Sequence, residues 1–357
     1  METYEYIFAA IVMIAILLAA IFLTGISPPL YRSMAEVEQL KMVAQKIMTQ
    51  MLLSPGEPED WGENITIRSE NLSSFGLAVS TFFTREAFVL DPNKVQRLSQ
   101  NLPAQLYIPP ERVLELLNLG SSETGFDYGI KIEFIPALNV TLRSGLNNVN
   151  VSVVSEQSMP AANAKVTVGA ISFDGNGGLR LSQSSGKTDG GGNCALNLTF
   201  SSSSLALLVA AVDHYGVQRV VVENVGSVIN AHFIGNFLIM NSSYQIDADN
   251  GAYQIFLAKF PNSSFSVGIA KYGLELASSG GINNYSVYNM SGVEPYAIAV
   301  VALTNNNNLV VSWKDIPRSY GFIAGEVYPP SSYMLERSVR IGLSTYTVRL
   351  RVWRMSW

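Results

Sequence analysis

The hydrophobic pattern changes character along the chain, and the first change decides most of the reading. Residues Ile7 to Ile26 read IFAAIVMIAILLAAIFLTGI, twenty residues without a charge. At a rise of about 1.5 Å per residue such a helix covers about 30 Å, the hydrocarbon thickness of a bilayer. A buried core helix seldom stays apolar on every face over this length. A secretory signal has a basic leader and a shorter apolar run, whereas Met1-Glu2-Thr3-Tyr4-Glu5-Tyr6 is acidic. The pattern therefore predicts a transmembrane anchor over residues 1–28. Its lipid-facing side chains would be Ile7, Phe8, Ile11, Ile14, Leu17, Leu18, Ile21, Phe22 and Leu23. Pro28-Pro29 is expected to interrupt the helix, because proline lacks the N–H and its ring crowds the preceding turn. Met34, Val37, Leu40, Val43, Ile47 and Met51 then recur at three- and four-residue spacing, which predicts an amphipathic stalk helix over 29–56. The run Ser54-Pro55-Gly56-Glu57-Pro58 ends it.

Beyond residue 57 the period shortens. Residues 57–150 read as a small α/β subdomain, with a short strand at Asn64–Arg68, a helix capped by Asp91 with Pro92 in its first turn, and a second helix opened by Pro109-Pro110 and closed by Gly120. Val95, Leu98 and Leu102 are expected to face inward. Residues 151–225 alternate in short strands separated by turns such as Gly186-Lys187-Thr188-Asp189-Gly190-Gly191-Gly192, which predicts a β-sandwich. Leu205–Val212 is nearly all apolar and suits a strand buried on both faces. Residues 226–357 continue as a β-rich domain. They end on a period-two strand with Tyr346, Val348, Leu350 and Val352 on one face and Arg349, Arg351 and Trp353 on the other. The expected class is α+β, mostly β.

Composition narrows the function. Charged residues make up only 14% of the chain and the net charge is −5, so no basic excess exists to neutralise phosphates and no nucleic-acid partner is expected. One cysteine and two histidines exclude an intramolecular disulfide and make a Cys/His zinc site very hard to build, and no cofactor is expected. The orientation signals conflict. Arg32, Lys41 and Lys46 after the apolar run favour a cytoplasmic body. Against this stand nine N-x-[ST] sequons, at Asn64, Asn71, Asn139, Asn150, Asn197, Asn241, Asn262, Asn284 and Asn289, in a Ser/Asn/Gly-rich body poor in Lys and Glu. Sequons serve as glycosylation acceptors only in exported chains. The reading adopted is a single N-terminal pass with the body outside the cell.

Two stretches carry family resemblances. The apolar helix with Glu5 just ahead of it, the amphipathic continuation and the β-rich remainder are similar to archaeal type IV pilin-like and pseudopilin-like proteins, over about the first 55 residues. The chain departs from that plan, since no basic-plus-glycine leader precedes the apolar stretch and Glu5 lies before it rather than within it. Met159-Pro160-Ala161 through Val168, followed by the Thr188-Asp189-x-x-Gly192 turn and Cys194-Ala195, resembles carboxypeptidase-regulatory-like and related Ig-like modules. That likeness implies a seven-strand sandwich serving as spacer or adhesive unit, and no activity.

The candidate chemistry is thin. Gly186-Lys187-Thr188 lacks the upstream glycine of a phosphate-binding loop, since position 181 is Leu. Asp247-Ala248-Asp249-Asn250-Gly251 lacks the glycine and glutamate positions of a calcium loop. Asp213-His214 has no G-x-S-x-G elbow to serve and reads as a turn. His232 and Cys194 read as structural. Arg349, Arg351 and Arg354 with Trp353 and Trp357 suit either a solvated strand face or an anionic-polymer or carbohydrate site. Ser, Asn and Tyr in this abundance suit contact with protein or glycan. The expectation is a membrane-anchored structural or adhesive envelope protein without catalysis. Its partners would be the lipid bilayer, copies of itself or other envelope proteins, and glycans. A ligand-binding ectodomain and an exported hydrolase are the competing readings.

Overall fold

The computed structural model describes residues 2–80, 87–121, 125–145, 148–173, 179–198, 205–225, 228–246, 255–260, 264–275, 282, 284–291, 293, 297–304, 308–321 and 332–355, with the side chains of 2, 3, 5, 7, 22–34, 205–206, 230, 269–275 and 291 left aside. It is rich in strand, with one long helix, as the mostly β expectation required.

Helix α1 (Glu2–Leu53) runs through Pro28-Pro29 without a break. The expected interruption does not occur. Two prolines forfeit only two N–H donors, and their fixed φ of about −65° is itself helical. The C-terminal part of α1 is the packed part. Leu40, Ala44, Ile47, Met48, Met51 and Leu52 are buried, at the helical spacing foreseen for the stalk. Val37, foreseen on the same stripe, is exposed.

The chain continues through β1 (Val89–Leu90), α2 (Pro92–Gln96), α3 (Pro110–Leu116), β2 (Gly120–Ser121), β3 (Gly125–Phe126) and β4 (Tyr128–Pro136). Asp91 caps α2, its carboxylate accepting from the Asn93 N–H at 2.8 Å, with Pro92 at the first position. Val95, Leu98 and Leu102 are buried as expected. Asn118, at φ 55°, takes the left-handed position just past α3 that was assigned to Gly120. Asn64–Arg68 forms no strand. The Asn64 Oδ1 accepts from the Thr66 N–H and hydroxyl, which curls the backbone into a turn.

Seven strands follow: β5 (Leu138–Ser144), β6 (Asn148–Ser155), β7 (Lys165–Phe173), β8 (Leu179–Lys187), β9 (Asn193–Asn197), β10 (Leu205–His214) and β11 (Val217–Asn224). They make a four-stranded sheet, β11-β10-β7-β8, facing a three-stranded sheet, β5-β6-β9. One core holds both, with Val149, Val151 and Leu196 from one sheet against Val166, Val168, Leu208 and Ala210 from the other. Strand pairing thus crosses the boundary drawn at residue 150, because β5 and β6 pair with β9. The Thr188–Gly192 turn is built as its residues suggest. Thr188 is buried, accepting from the Ala164 N–H at 2.8 Å and donating to the Ala161 carbonyl at 2.5 Å. Asp189 accepts from the N–H groups of Gly191 and Asn193. Gly192 has φ +77°, and a Cβ there would lie 2.4 Å from the Val153 carbonyl oxygen, so only glycine fits.

Strands β12 (Ile229–Ile234), β13 (Phe237–Asn241), β14 (Ile255–Lys259), β15 (Ser266–Glu275), β16 (Tyr285–Ser291), β17 (Ala297–Leu303) and β18 (Leu309–Trp313) close a barrel in the order β12-β13-β16-β15-β14-β17-β18. The closing pair, β12 with β18, is parallel. The barrel packs on the outer face of the four-stranded sheet. Ile171, Leu207 and Val209 meet Ala299, Val301 and Val311, and the Phe265 ring lies so close to Gly169 that a Cβ there would approach within 2.2 Å. Strand β10 is therefore buried on both faces, as its apolar run foretold. Leu208, Ala210 and Val212 point into the sandwich, and Leu207 and Val209 into the barrel interface.

The chain then leaves the barrel and returns to its start. β19 (Ser319–Gly321), β20 (Ser332–Ile341) and β21 (Ser344–Arg354) join β1 and β4 in a five-stranded sheet, β1-β20-β21-β4-β19, against which the buried stripe of α1 packs. The segment expected to end a separate 226–357 domain instead completes the base under α1.

Between α1 and α2 the backbone is irregular, and its carbonyls have few ladder partners. Three cations supply the donors. Lys94, fully buried, donates to the carbonyls of Pro55 at 2.8 Å and Ala78 at 3.0 Å. Arg112 donates to Ser69 and Leu72. Arg97, also fully buried, donates to Leu106 at 2.8 Å, Ile67 at 2.6 Å and the Trp61 carbonyl, with its guanidinium 5.6 Å from the Trp61 ring centroid. Burial pulls its pKa down to about 10, so it stays cationic at neutral pH. Arg97→Met keeps the volume but strands these carbonyls, at a cost of about 3–5 kcal/mol. Hydrogen exchange is expected to accelerate across 54–78 in this variant and not in the barrel. Unchanged protection of 54–78 would refute the assignment.

Candidate functional site

The apolar part of α1 is bare. Phe8, Ile11, Ile14, Leu17, Leu18 and Ile21 are all more than half exposed, at 70%, 59%, 57%, 53%, 62% and 64%. Side chains are described without interruption only over 8–21, about 21 Å of helix. Among the described residues no helix is long and apolar enough to cross a membrane. The side chains of Ile7, Phe22 and Leu23 lie outside the described set.

Of the nine sequon asparagines, Asn71, Asn139, Asn150, Asn197, Asn241 and Asn284 are exposed, Asn64 and Asn289 are half-buried, and Asn262 lies outside the described residues. Asn139, Asn150 and Asn197 share the outer face of the three-stranded sheet, because the alternation of β5, β6 and β9 sends Leu138, Val149, Val151 and Leu196 inward. The Asn64 amide is already engaged, donating to Asp60 at 3.0 Å while its oxygen holds Thr66.

A cleft of about 880 Å³ opens where base and sandwich meet, with Gln100, Asn101, Tyr107, Asn139, Arg219, Arg318 and Tyr346 in its walls. Arg219 comes from β11, an edge strand docked on the end of the β20–β21 hairpin. The Val220 N–H donates to the Ser344 hydroxyl at 2.9 Å and the Gln218 N–H to the Thr345 hydroxyl at 3.3 Å. Its guanidinium lies 4.9 Å from the Tyr346 ring centroid and donates through Nη1 to the Tyr346 hydroxyl. The buried Arg219 Nε has no protein acceptor. Such a group can receive a carboxylate or sulfate. No sequence signal marked this cleft, because its walls come from five separate stretches and neither Arg219 nor Arg318 stands in a motif.

A second opening, of about 560 Å³ between base and barrel, is walled by Glu59, Asp60, Glu63, Asp91 and Lys314. The Lys314 ammonium lies 5.0 Å from the Phe233 ring centroid. Burial lowers its pKa, while Asp91 and Glu63 oppose the shift. Four carboxylates and one ammonium leave this opening with an acidic excess.

The remaining motifs resolve locally. Asp213 spends its carboxylate on the Gly216 N–H at 3.0 Å and the Gln218 side chain at 3.3 Å, in a tight turn with Tyr215 at φ 52° and Gly216 at φ 87°. Cys194 is buried in the sandwich core. Residues 247–251 lie outside the described residues. Among the described residues, no group of three or more His, Cys, Asp or Glu is placed to hold a metal ion. Arg349 is a structural hub, with Glu336 at 2.5 Å, Glu156 at 3.6 Å and Glu133 at 3.7 Å. Trp353 is buried over Gly129 rather than standing on the open face. Arg351 is half-buried, Arg354 is exposed and Trp357 lies outside the described residues.

No protein-family model matches the chain, and no curated protein matches it significantly.

His232 sits half-buried on β12 with its ring 6.4 Å from Tyr285, and burial lowers its pKa below the ordinary value. Between the lowered value and about 6.5 the unfolded chain binds more protons than the folded one, so stability rises with pH across that window. Barrel stability is expected to fall on acidification through the window, and His232→Gln is expected to flatten the slope. Urea unfolding followed by hydrogen exchange in barrel peptides measures it.

Proposed function

We propose that the chain is an envelope protein held in a lipid bilayer by the N-terminal half of α1. The body stands outside the cell in a structural or adhesive, non-catalytic role. The observation that carries the reading is the division of α1. Residues 40–52 bury one stripe in the base, while Phe8, Ile11, Met13, Ile14, Ile16, Leu17 and Leu18 are large apolar side chains each more than half exposed. So much contiguous apolar surface on one element marks a site of lipid or protein contact. The apolar stretch read from the sequence, Ile7–Ile26, is long enough to span a bilayer. Exposed acceptor asparagines on all three units support an exterior body. The pilin-like resemblance of the first 55 residues supports copies of the chain as an alternative cover for the helix. The Ig-like resemblance supports a spacer or adhesive part for the sandwich. The junction cleft favours a second reading, a ligand-binding ectodomain, since Arg219 and Arg318 line a cleft of ligand size.

Flotation with lipid vesicles tests the anchor. The full chain is expected to float. Ile14→Lys with Leu18→Lys is expected to abolish flotation, each charge costing about 2.5–3.5 kcal/mol at the centre of a membrane helix. Val37→Lys, exposed beyond the bare half, should leave it intact. A chain that stays monomeric in buffer without lipid or detergent overturns the proposal.

A further inference from the structure

The barrel has a mouth that the anchor reading does not use. A cavity of about 470 Å³ opens there between the ends of β12, β13, β16 and β18. Its walls differ in kind from those of the other openings. The junction cleft carries Arg219 and Arg318, and the base–barrel opening carries four carboxylates and a lysine. Among the described residues the mouth carries no charged side chain. Tyr244, Tyr285 and His232 supply rings, Asn241 and Asn308 supply amides, and Val228, Ile229 and Leu309 supply apolar surface.

These groups are held by the fold. The His232 and Tyr285 rings lie 6.4 Å apart, tilted at 52°, and both line the cavity. The Asn241 Oδ1 accepts from the Ser243 N–H at 2.9 Å, which fixes the amide and leaves its NH₂ to donate. The Asn308 backbone is tied to Thr304 by two hydrogen bonds, of 2.9 Å and 3.1 Å. The volume falls in the range of about 300–1,000 Å³ typical of small-molecule pockets, which favour barrel mouths.

A ligand matched to these walls needs an apolar C–H face for the rings, hydroxyls for the amides and phenols, and no net charge. We propose that the barrel mouth binds a neutral saccharide. The inference goes beyond the anchor and does not depend on it, since the walls all belong to the barrel. Asn241 itself heads an N-S-S sequon, so the sugar could be free or carried on that residue.

Saturation-transfer NMR on the full chain in phospholipid nanodiscs, free of sugar detergents, is the test. Glucose, galactose, mannose and N-acetylglucosamine are the probes, with glucuronate as the charged comparator. The protein comes from a host that does not glycosylate asparagine. At least one neutral sugar is expected to bind at millimolar concentration. Tyr285→Ala and Tyr244→Ala should each weaken it by about tenfold or more, and Asn308→Asp should weaken it without loss of volume. Arg219→Ala should not change it. Circular dichroism of each variant separates lost binding from lost folding. The mass of the Asn241 peptide from a glycosylating host then distinguishes the free from the attached source. Absence of saturation transfer from every neutral sugar overturns the inference, as does binding that survives both tyrosine variants or is lost in Arg219→Ala.

Discussion

The packing of one stripe of α1 against the five-stranded sheet organises the molecule. Leu40, Ala44, Ile47, Met48, Met51 and Leu52 meet Ile130, Ile132, Val348, Leu350 and Val352 in one core. The sheet that receives them needs strands from both ends of the chain, with β4 before the sandwich and β19–β21 after the barrel. Helix burial therefore closes the whole topology. The sandwich and barrel are excursions from a base whose first and last segments touch. The same stripe sets the contrast with the other half of the helix, where apolar side chains of similar size, such as Phe8, Ile14 and Leu18, stand more than half exposed. Burying them at about 25 cal/mol per Å² is a large gain, and a lipid bilayer or a neighbouring copy can provide it.

The base holds its irregular segment with cations rather than with a ladder. Few backbone carbonyls between residues 55 and 78 have strand partners, and a buried carbonyl without a donor is costly. Lys94 on α2, Arg97 at its end and Arg112 on α3 donate to the carbonyls of Pro55, Ile67 and Leu72. In a chain with so few charges, fully buried Lys94 and Arg97 are a large investment. Their hydrogen bonds tie the segment after α1 to the short helices that follow it. The docking contacts above it work in the same sense. The Gly235 N–H donates to the Asn93 side chain at 3.1 Å, and Ser344 holds the edge of the sandwich.

What could be read from the chain follows the range of the interaction. The cap of α2 at Asp91-Pro92, the Thr188–Gly192 turn, the two-sided burial of β10 and the alternation of β21 each rest on residues within a few positions of one another, and each was legible. The pairing of β4 with β21 joins residues more than two hundred positions apart and has no local signature. Neither has the parallel closure of the barrel. The proline rule failed at Pro28-Pro29, where the loss of two donors is small against a helix of 52 residues. Asn64–Arg68 alternates like a strand, yet the Asn64 side chain competes for the backbone and wins. The openings were least legible of all, since each is walled by side chains brought together from several elements by the packing of whole units.

The central claim is that the bare half of α1 lies in lipid, and the chemistry of the chain permits a direct measurement. Its single cysteine, Cys194, is buried in the sandwich, so a cysteine introduced on α1 can be labelled selectively. Spin labels placed in turn at Phe8, Ile11, Ile14, Leu18 and Ile21 in vesicle-bound protein would be read for relaxation by oxygen, which partitions into lipid, and by a nickel chelate, which does not. The account predicts strong oxygen and weak nickel relaxation at Ile14 and Leu18, with nickel access returning towards Phe8. Strong nickel relaxation at every position would place the helix in water and contradict it.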